Sequence, residues 1–419
     1  MTHLDSLWAK TTSDFPRRPP LQEVIPADVV VIGGGFTGVS AAYHLASSGA
    51  QVALLEARTI GFGGSGRNVG LVNAGLWTPP DQVEAKLGPN VGKHLNATLA
   101  NGPDLVFDLI RRHQILCEAT RKGTLHCAHS ATGFKDLQNR YRQQQERGAP
   151  VDLLNPEETA RRTGSPAYFG ALWDRRAGTI QPLSYVQGLA DAAEKRGARI
   201  FEGTSALTIT EDQNGWTVRT AEGVVHAAKL IQATNAYGCD ASSDNSIVPA
   251  SYFQMATAPL PITLRRDILA TGEGCWDTAL IMSSFRLDHA GRMIFGALGN
   301  LDGLGGPLHR QWAKRKLARL FPQLAGVNLE QEWTGRIAMT GTYLPRVERR
   351  GKEGVSIFGY SGRGIAPGTV FGKCAAEWAL GTGSFPVEIS APKTETHATA
   401  KSIYYEVGAT LAHLTGARL

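Results

Sequence analysis

The stretch Ala27-Asp-Val-Val-Val-Ile-Gly-Gly-Gly-Phe-Thr-Gly38 decides the fold. Its first six residues are mostly apolar and β-branched, which is typical of a buried parallel strand. The next six follow the pattern GxGxxG, in which small residues let a pyrophosphate reach the N-terminus of the following helix. Residues 38–48 have helical spacing, and residues 51–55 return as a strand. The segment predicts a βαβ unit that binds a dinucleotide through Gly33, Gly35, Phe36, Thr37 and Gly38. A bare glycine turn is the alternative.

Two charged residues follow the second predicted strand. Glu56 lies about 20 residues after the glycine turn, where a carboxylate accepts hydrogen bonds from an adenosine ribose. We therefore assign Glu56, and Arg58 beside it, to the dinucleotide site. An ordinary surface ion pair between these two side chains is the alternative.

The next segment favours FAD over NAD, since both would use the same glycine turn. Residues 61–70 read Gly-Phe-Gly-Gly-Ser-Gly-Arg-Asn-Val-Gly and combine small residues with a hydroxyl, a guanidinium and an amide. Such a loop suits close packing against phosphate and a flavin edge, and a nicotinamide domain normally lacks it. A flexible surface loop is the alternative. The predicted FAD contacts in this segment are Gly64, Ser65, Arg67, Asn68, Gly70 and Leu71.

Two later segments complete the predicted site. Residues 230–237 end a strand in a small-residue turn, where Ala233 and Thr234 are expected near the adenosine side of the cofactor. Residues 359–364 read Gly-Tyr-Ser-Gly-Arg-Gly and precede a helix. The positive end of that helix would face the flavin oxygen and nitrogen that become anionic on reduction. The predicted contacts here are Gly362, Arg363 and Gly364. The alternatives are that residues 230–237 only lead from a strand into a loop, and that residues 359–364 only form a glycine-rich cap of the following helix.

The strand and helix signals predict an α/β fold that is α+β overall. A Rossmann-like FAD-binding domain is expected from residues 1–80, 180–250 and 330–395. It is interleaved with a substrate domain, built on an antiparallel sheet with helices, from residues 81–179 and 251–329. Residues 396–419 are predicted to form a C-terminal helical extension, packed on the body, a membrane or another subunit.

Composition narrows the partners and the compartment. Lys plus Arg number 43 against 37 Asp plus Glu, which gives a net charge of +6 without a basic run, so nucleic acid is not expected. The five cysteines, an odd number, form no CxxC pair, and the N-terminus lacks the apolar core of a signal peptide. No run is long enough to span a bilayer. The chain is expected in the cytoplasm, with membrane contact at most peripheral, on the inner face.

The glycine blocks, in this order and spacing, resemble the D-amino-acid oxidase and glycine oxidase superfamily of flavoproteins over nearly the whole chain. Three further stretches resemble bacterial L-pipecolate oxidase: Gly-Ser-Gly-Arg-Asn-Val-Gly-Leu-Val-Asn-Ala-Gly-Leu-Trp at 64–77, Gly-Thr-Leu-His at 123–126 and Arg-Arg-Ala-Gly-Thr-Ile at 175–180. γ-Glutamylputrescine oxidoreductases share the Ser-Gly-Arg-Asn block, so this block alone does not name the substrate.

The resemblance implies hydride transfer from the carbon beside the substrate nitrogen to flavin N5. L-pipecolate would give a piperideine carboxylate, and electrons would pass to oxygen or to a respiratory acceptor. Some relatives tether the flavin to a cysteine in the segment that matches residues 334–339, which contains none here, so FAD is expected to be non-covalent. The alternatives are an enzyme for a linear amine such as γ-glutamylputrescine, and a flavin-binding subunit without turnover of its own.

Four residues are candidates for the substrate. Tyr252 and Gln254 alternate on a predicted strand and share one face, although an exposed sheet face would explain them as well. Arg336 and Arg363 are candidate carboxylate ligands, or alternatively hold backbone or flavin. No proton-transfer residue is obligatory, because flavin takes the hydride and the protein mainly orients a neutral amine.

Other aromatic and histidine residues give weaker signals. His126 and His129 lack metal-ligand spacing on a strand, so no metal site is predicted. Trp173 and Trp276 are interpreted as core residues, with the wall of an apolar pocket as the alternative.

Overall fold

The computed structural model describes residues 6–238 and 246–415, so Cys239 lies outside the described residues. The strands are β1 (Val24–Ile32), β2 (Val52–Leu55), β3 (Leu71–Val72), β4 (Thr124–Cys127), β5 (Val151–Leu154), β6 (Ala171–Asp174), β7 (Gly178–Thr179), β8 (Arg199–Phe201), β9 (Thr208–Asp212), β10 (Gly215–Arg219), β11 (Val224–Gln232), β12 (Val248–Pro259), β13 (Gly274–Asp277), β14 (Ser283–Leu287), β15 (Arg292–Leu298), β16 (Leu329–Met339), β17 (Arg346–Arg350), β18 (Gly354–Phe358) and β19 (Ile389–Ser390). The helices are α1 (Leu7–Thr11), α2 (Phe36–Ser47), α3 (Pro80–Leu87), α4 (Pro89–Ala100), α5 (Gly102–His113), α6 (Ala131–Glu146), α7 (Pro156–Thr163), α8 (Pro182–Glu194), α9 (Ile262–Arg265), α10 (Gly306–Leu320), α11 (Ile365–Leu380) and α12 (Ala398–Thr415).

Within the described chain, nine strands form a mixed sheet around β1. The main order is β19-β17-β18-β11-β1-β2-β8, and β10 and β9 continue from β11. β1 pairs in parallel with both β11 and β2, and α2 connects β1 to β2. Residues 29–32 are all buried, since helices and strands cover both faces of this part of the sheet. The predicted βαβ unit is confirmed.

A second sheet in the described residues has eight strands in the order β16-β12-β15-β14-β13-β4-β6-β5. All neighbours are antiparallel except β13 and β4. Phe253, Phe285 and Phe295 lie in its hydrophobic core, which α10 covers with Trp312. Because side chains alternate along a strand, the neighbours of Phe253 lie on the opposite face, towards the first sheet. The predicted class, a Rossmann-like part combined with an antiparallel sheet and helices, is confirmed.

Two elements bear on the predicted boundaries. α11 begins at Ile365, directly after the glycine-flanked turn that the sequence places before a helix. Pro367 lies in its first turn, where proline removes no helical hydrogen bond. β16 had been assigned to the nucleotide-binding part, yet it pairs with β12 in the eight-stranded sheet. The division into domains stays a prediction.

The C-terminal helix α12 packs on the body. Ser402 Oγ donates to Pro249 O at 2.7 Å, and His413 is buried against α10 with its Nδ1 2.7 Å from His309 Nδ1. None of the helices in the described ranges is both long and apolar enough to cross a bilayer.

Candidate active site

The glycine turn after β1 presents backbone amides at the start of α2. Gly33 has a φ of 107°, which side chains disfavour, and its N–H donates to Leu55 O at 2.9 Å. Gly35 is the N-cap of α2, and as a glycine it adds no capping hydrogen bond of its own. A methyl group on Gly38 would lie 1.9 Å from Gly33 O, so α2 packs this closely only with glycine. Such a helix end offers amide donors and a favourable dipole to an anion.

Glu56 holds the turn from the end of β2. Its carboxylate accepts hydrogen bonds from Gly34 N at 2.7 Å and from Arg58 N at 2.9 Å. Burial raises the pKa of Glu56, while these backbone hydrogen bonds act in the opposite direction. The hydrogen bond between Glu56 and Arg58 uses the backbone N–H of Arg58. The Arg58 guanidinium lies instead 5.9 Å from the centre of the Phe62 ring.

The Asn68 side chain fixes the loop that follows β2. Its amide donates to Gly64 O at 3.0 Å and to Ser65 O at 2.9 Å, and its oxygen accepts from Gly70 N at 2.8 Å. Ser65 Oγ accepts from Phe36 N at 3.1 Å, which joins the loop to the start of α2. The loop is therefore a structured wall and not a flexible surface segment.

Arg67 is a buried cation on the same loop. Its guanidinium lies 4.4 Å from the centre of the Phe62 ring and donates to Gly63 O at 3.3 Å. Trp333 Nε1 donates to Arg67 O at 2.9 Å, so β16 is hydrogen-bonded to the loop and helps to hold it in place.

A second helix N-terminus approaches the first. The hydroxyls of Thr37 in α2 and Tyr360 are 2.7 Å apart, and the glycine-flanked turn at residues 362–364 leads from Tyr360 into α11. Ala233 N donates to Ile32 O at 2.8 Å, which places the end of β11 beside the glycine turn. The four predicted glycine and small-residue segments therefore converge.

These segments enclose a cavity of about 510 Å³ between the two sheets. All predicted cofactor residues line it except Gly38 and Gly70. Gly38 lets α2 pack closely against the glycine turn. Gly70 has a φ of 85° and no room for a side chain, since a methyl group would lie 2.1 Å from Ile180 O. The lining residues on this side are Gly33, Gly35, Phe36, Thr37, Glu56, Arg58, Gly64, Ser65, Arg67, Asn68, Leu71, Ala233, Thr234, Gly362, Arg363 and Gly364.

The eight-stranded sheet provides the opposite wall. Tyr252 and Gln254 both line the cavity, as their shared face requires. The Tyr252 hydroxyl lies 2.9 Å from Ser284 Oγ and donates to Gly296 O at 3.1 Å. Gln254 is buried, and its Oε1 has no hydrogen-bond partner in the structure. A buried amide oxygen without a partner is a candidate acceptor for a bound N–H group.

The two candidate arginines differ in their surroundings. Arg363 is half-buried and lies 5.1 Å from the centre of the Trp276 ring, and its Nη1 donates to Ala74 O at 2.9 Å. Partial desolvation lowers the pKa of Arg363 to about 9. Arg336 is exposed at the rim, where its guanidinium lies 5.3 Å from the centre of the Tyr237 ring. Both line the cavity, and Arg363 is the less exposed of the two.

Several functional candidates have no signal in the sequence. Asn73, Met282 and Ser284 line the cavity, and Trp276 lines it as well, although a core position had been preferred. Ser284 and Gln254 both pair with Gly296 across neighbouring strands, so only the sheet register reveals their shared face. Trp173 lies elsewhere, with its Nε1 donating to Lys122 O.

Arg286 was also missed. It is buried, and its guanidinium donates to Val69 O and Ile180 O, both at 2.7 Å. Burial lowers the pKa of Arg286 to about 10. It holds the loop after β2 against the residues that precede α8, so it supports the cavity wall without lining it.

The lining residues that the structure describes include no cysteine. Four described cysteines, Cys117, Cys127, Cys275 and Cys374, are free and buried. Over the described ranges, no three His, Cys, Asp or Glu side chains are grouped to hold a metal ion.

A family model described as FAD dependent oxidoreductase, DAO, matches residues 28–378. Among curated proteins, γ-glutamylputrescine oxidoreductase of Escherichia coli is 32% identical over 90% of this chain and 88% of its own length. Glycine oxidase of Geobacillus kaustophilus is 26% identical over 77% of this chain and 85% of its own length.

Solved structures have the same fold. The crystal structure of glycine oxidase from Geobacillus kaustophilus superposes with a TM-score of 0.71 at 22% identity and covers 89% of this chain and 99% of that protein. L-Proline dehydrogenase from P. horikoshii superposes with a TM-score of 0.70 at 18% identity, over 96% of this chain and 99% of that protein.

Proposed function

The chain belongs to the DAO family of FAD dependent oxidoreductases, and we propose that it oxidises the carbon–nitrogen bond of an amine that carries a carboxylate. The coarser activity, FAD-dependent oxidation of an amine or amino acid, follows from the family and from relatives such as glycine oxidase. The finer proposal concerns the substrate, and it rests on the residues of the cavity wall that faces away from the glycine turn.

The residues of the other wall fit FAD. Glu56 would hold the ribose, the start of α2 the pyrophosphate, and the loop at Ser65 and Arg67 the flavin side, since all of them line the cavity. Bound non-covalently, FAD would supply the acceptor for the hydride, at flavin N5, and for both electrons. The protein's own task is to bind the amine, orient it and exclude water.

One observation carries the substrate proposal: Arg363 is a half-buried guanidinium without a carboxylate partner among the described residues. Within the described part of the chain, its side chain donates only to the backbone oxygen of Ala74, although a guanidinium has five N–H donors. The nearby acid Asp174 is already paired with Arg176 at 2.7 Å. A half-buried, incompletely satisfied cation that lines a cavity is suited to a substrate carboxylate, which it can bind through two parallel hydrogen bonds.

Gln254 and Tyr252 would orient the nitrogen. The free Oε1 of Gln254 accepts an N–H, and Tyr252 is fixed by its hydrogen bonds to Ser284 and Gly296. Burial raises the pKa of Tyr252, so its hydroxyl stays protonated and neutral at physiological pH. These groups position an uncharged amine and need not move a proton.

Two substrates satisfy this chemistry. L-Pipecolate, which would give a piperideine carboxylate, is compact and places its carboxylate close to the nitrogen. The aromatic rings of Tyr252 and Trp276 in the cavity wall suit its apolar ring. γ-Glutamylputrescine is a linear candidate, and the 32% identity to an enzyme named for it supports this choice.

The decisive experiment is anaerobic addition of each amine to the FAD-loaded protein, followed at the flavin absorbance band. We expect L-pipecolate or γ-glutamylputrescine to bleach the band, with D-pipecolate, L-proline and sarcosine as comparisons. If no amine bleaches a protein that holds FAD, the chain is a flavin-binding subunit and the proposal is wrong.

Two substitutions at Arg363 test the carboxylate contact. Arg363→Met should raise KM about 30-fold, since a charge-assisted hydrogen bond pair contributes on the order of 2 kcal/mol. Arg363→Lys should recover only part of this loss, because an ammonium does not offer two parallel donors. Butylamine, which has no carboxylate, is the matched control substrate, and an equal loss with it would contradict the assignment.

We also propose that the protein lies in the cytoplasm, with membrane contact at most peripheral. Its electrons would pass to oxygen or to a respiratory acceptor. These proposals are supported by the buried free cysteines and by the family.

A further inference from the structure

A second cavity, of about 500 Å³, adjoins the first. Asn73, Trp276 and Arg363 line both cavities, so these three residues form the junction between them. The far walls come from α3, α4 and α6 and from the ends of β4 and β6. Nothing in the glycine motifs predicts this space, and the cofactor residues other than Arg363 do not line it.

The walls of the second cavity carry charges of both signs. Arg147 pairs with Glu84 at 2.7 Å, and Arg176 pairs with Asp174 at 2.7 Å. Arg140 donates to Trp77 O at 3.0 Å. Asn73, Asn96 and Gln144 add neutral hydrogen-bonding groups to the wall.

Two buried polar atoms without hydrogen-bond partners lie close together here, one on Trp276 at the junction and one on His126, which lines only the second cavity. His126 lies with its ring stacked on Trp276 at a centroid distance of 4.8 Å. Neither His126 Nε2 nor Trp276 Nε1 has a hydrogen-bond partner, and burial lowers the pKa of His126, so the ring is neutral. Buried polar atoms almost always have a hydrogen-bond partner. Two such atoms without partners beside a cavity indicate a ligand that offers polar atoms to His126 and Trp276.

We propose that the second cavity binds the tail of an elongated amine. The reacting amine end would lie in the first cavity, and a neutral polar linkage would pass His126 and Trp276. A tail with an ammonium and a carboxylate would lie among the paired charges, with its carboxylate on Arg363, which lines both cavities. Walls of mixed sign suit such a zwitterion better than a purely anionic or apolar group. This inference rests on the proposed function and selects the linear class of substrate, a γ-glutamyl amide of a diamine, over a compact ring.

The test separates tail binding from turnover. γ-Glutamylethylamide has the tail and the amide but lacks the reacting amine, so its binding to the FAD-loaded protein can be measured by calorimetry without any reaction. Ala97 is an exposed residue of α4 that lines only the second cavity, and Ala97→Trp would fill part of it. Ala400→Trp, at an exposed position of α12, is the matched control.

We expect γ-glutamylethylamide to bind the unaltered protein and Ala400→Trp equally, and Ala97→Trp at least tenfold more weakly. The KM for γ-glutamylputrescine should rise by a similar factor in Ala97→Trp, while kcat and the bound FAD stay unchanged. Absence of binding to the unaltered protein, or equal binding to Ala97→Trp, would overturn the inference.

The two proposals fail in different ways. If the amide binds as expected but no amine bleaches the flavin, tail binding stands and the proposed oxidation is wrong. If L-pipecolate or butylamine bleaches the flavin but the amide does not bind, the oxidation stands and the tail cavity is wrong.

Discussion

The nucleotide wall of the first cavity is built mainly from backbone, whereas the substrate wall is built from side chains. On the nucleotide wall, the glycine turn, the end of β11 and the start of α11 offer amides and helix ends from short contiguous segments. On the substrate wall, Tyr252, Trp276 and Ser284 come from three different strands, and Arg363 approaches from the turn before α11. Backbone sites leave a sequence pattern because they require glycine at fixed spacing, while side-chain sites require only that distant residues meet.

This difference predicts different responses to substitution. A change in the nucleotide wall moves backbone and should affect cofactor binding as a whole. A change in the substrate wall removes one group and should affect one ligand contact. Two substitutions and one change of pH, ordered from the largest expected effect to the smallest, test the two walls.

Gly38→Val should have the largest effect. Even a methyl group would lie 1.9 Å from Gly33 O, so α2 must move away from the glycine turn, the proposed pyrophosphate site. Overpacking of this kind typically costs about 1–3 kcal/mol in stability, and here it also displaces the anion site. We expect protein with little or no bound flavin, measured as the ratio of absorbance at the flavin band to that of the protein.

The control is Gly408→Ala in α12, where the added methyl group meets no atom within 4 Å. It should leave flavin content unchanged and stabilise the helix slightly. If Gly38→Val misfolds, Gly38→Ala gives the milder version. Full flavin content in Gly38→Ala would show that the turn does not depend on this close packing.

Glu56→Gln should have an intermediate effect. The carboxylate accepts from two backbone amides at once, and an amide group can replace only one of its oxygens, leaving an N–H against an N–H donor. We expect the Kd for FAD to rise about 30-fold, or on the order of 2 kcal/mol, from the lost charged hydrogen bonds. Equilibrium dialysis of the apoprotein with FAD measures this change.

The same variant separates two roles of Glu56. If the carboxylate also binds the ribose, the Kd for FAD should change more than the Tm of the apoprotein does. If it only shapes the loop, the apoprotein should lose stability and the Kd should follow it. The second result would make Glu56 a purely structural part of the nucleotide wall.

The sequence predicts the nucleotide wall almost completely, including the junction of β1, α2 and β2, because each glycine has a local reason for its position. It also predicts that Tyr252 and Gln254 share a face, since alternation along a strand is local. Ser284 and Asn73 were not predictable, because their place in the cavity depends on strand register and on packing between the sheets.

The support of the substrate wall also depends on long-range packing. Behind Tyr252 and Gln254, Phe253 packs against a histidine pair that joins α12 to α10. His413 stacks on Trp312 at a centroid distance of 3.8 Å, and its Nδ1 lies 2.7 Å from that of His309. Lys316 and Arg315 of α10 add positive charge nearby, and Glu406 of α12 lies 3.6 Å from His309 Nε2.

Acid should loosen this support, with the smallest effect of the three. Burial lowers the pKa of His413 to about 3, against 6.5 for an exposed histidine. Above pH 6.5 the side chain is neutral in both the folded and the unfolded state, so it adds no pH dependence. Below 6.5 the unfolded state binds the proton first, and stability falls until the pH reaches the folded-state pKa. At one pH unit below 6.5 the loss of folding stability is about 1.4 kcal/mol.

Hydrogen exchange of the α12 amides, corrected for the intrinsic rate, should therefore be faster at pH 5.5 than at pH 7.5, with little change in β1. His413→Gln removes the titrating group, so α12 in this variant should exchange with the same protection at both pH values. If unaltered α12 is equally protected at both, His413 does not couple the C-terminal helix to the sheet that carries the substrate wall.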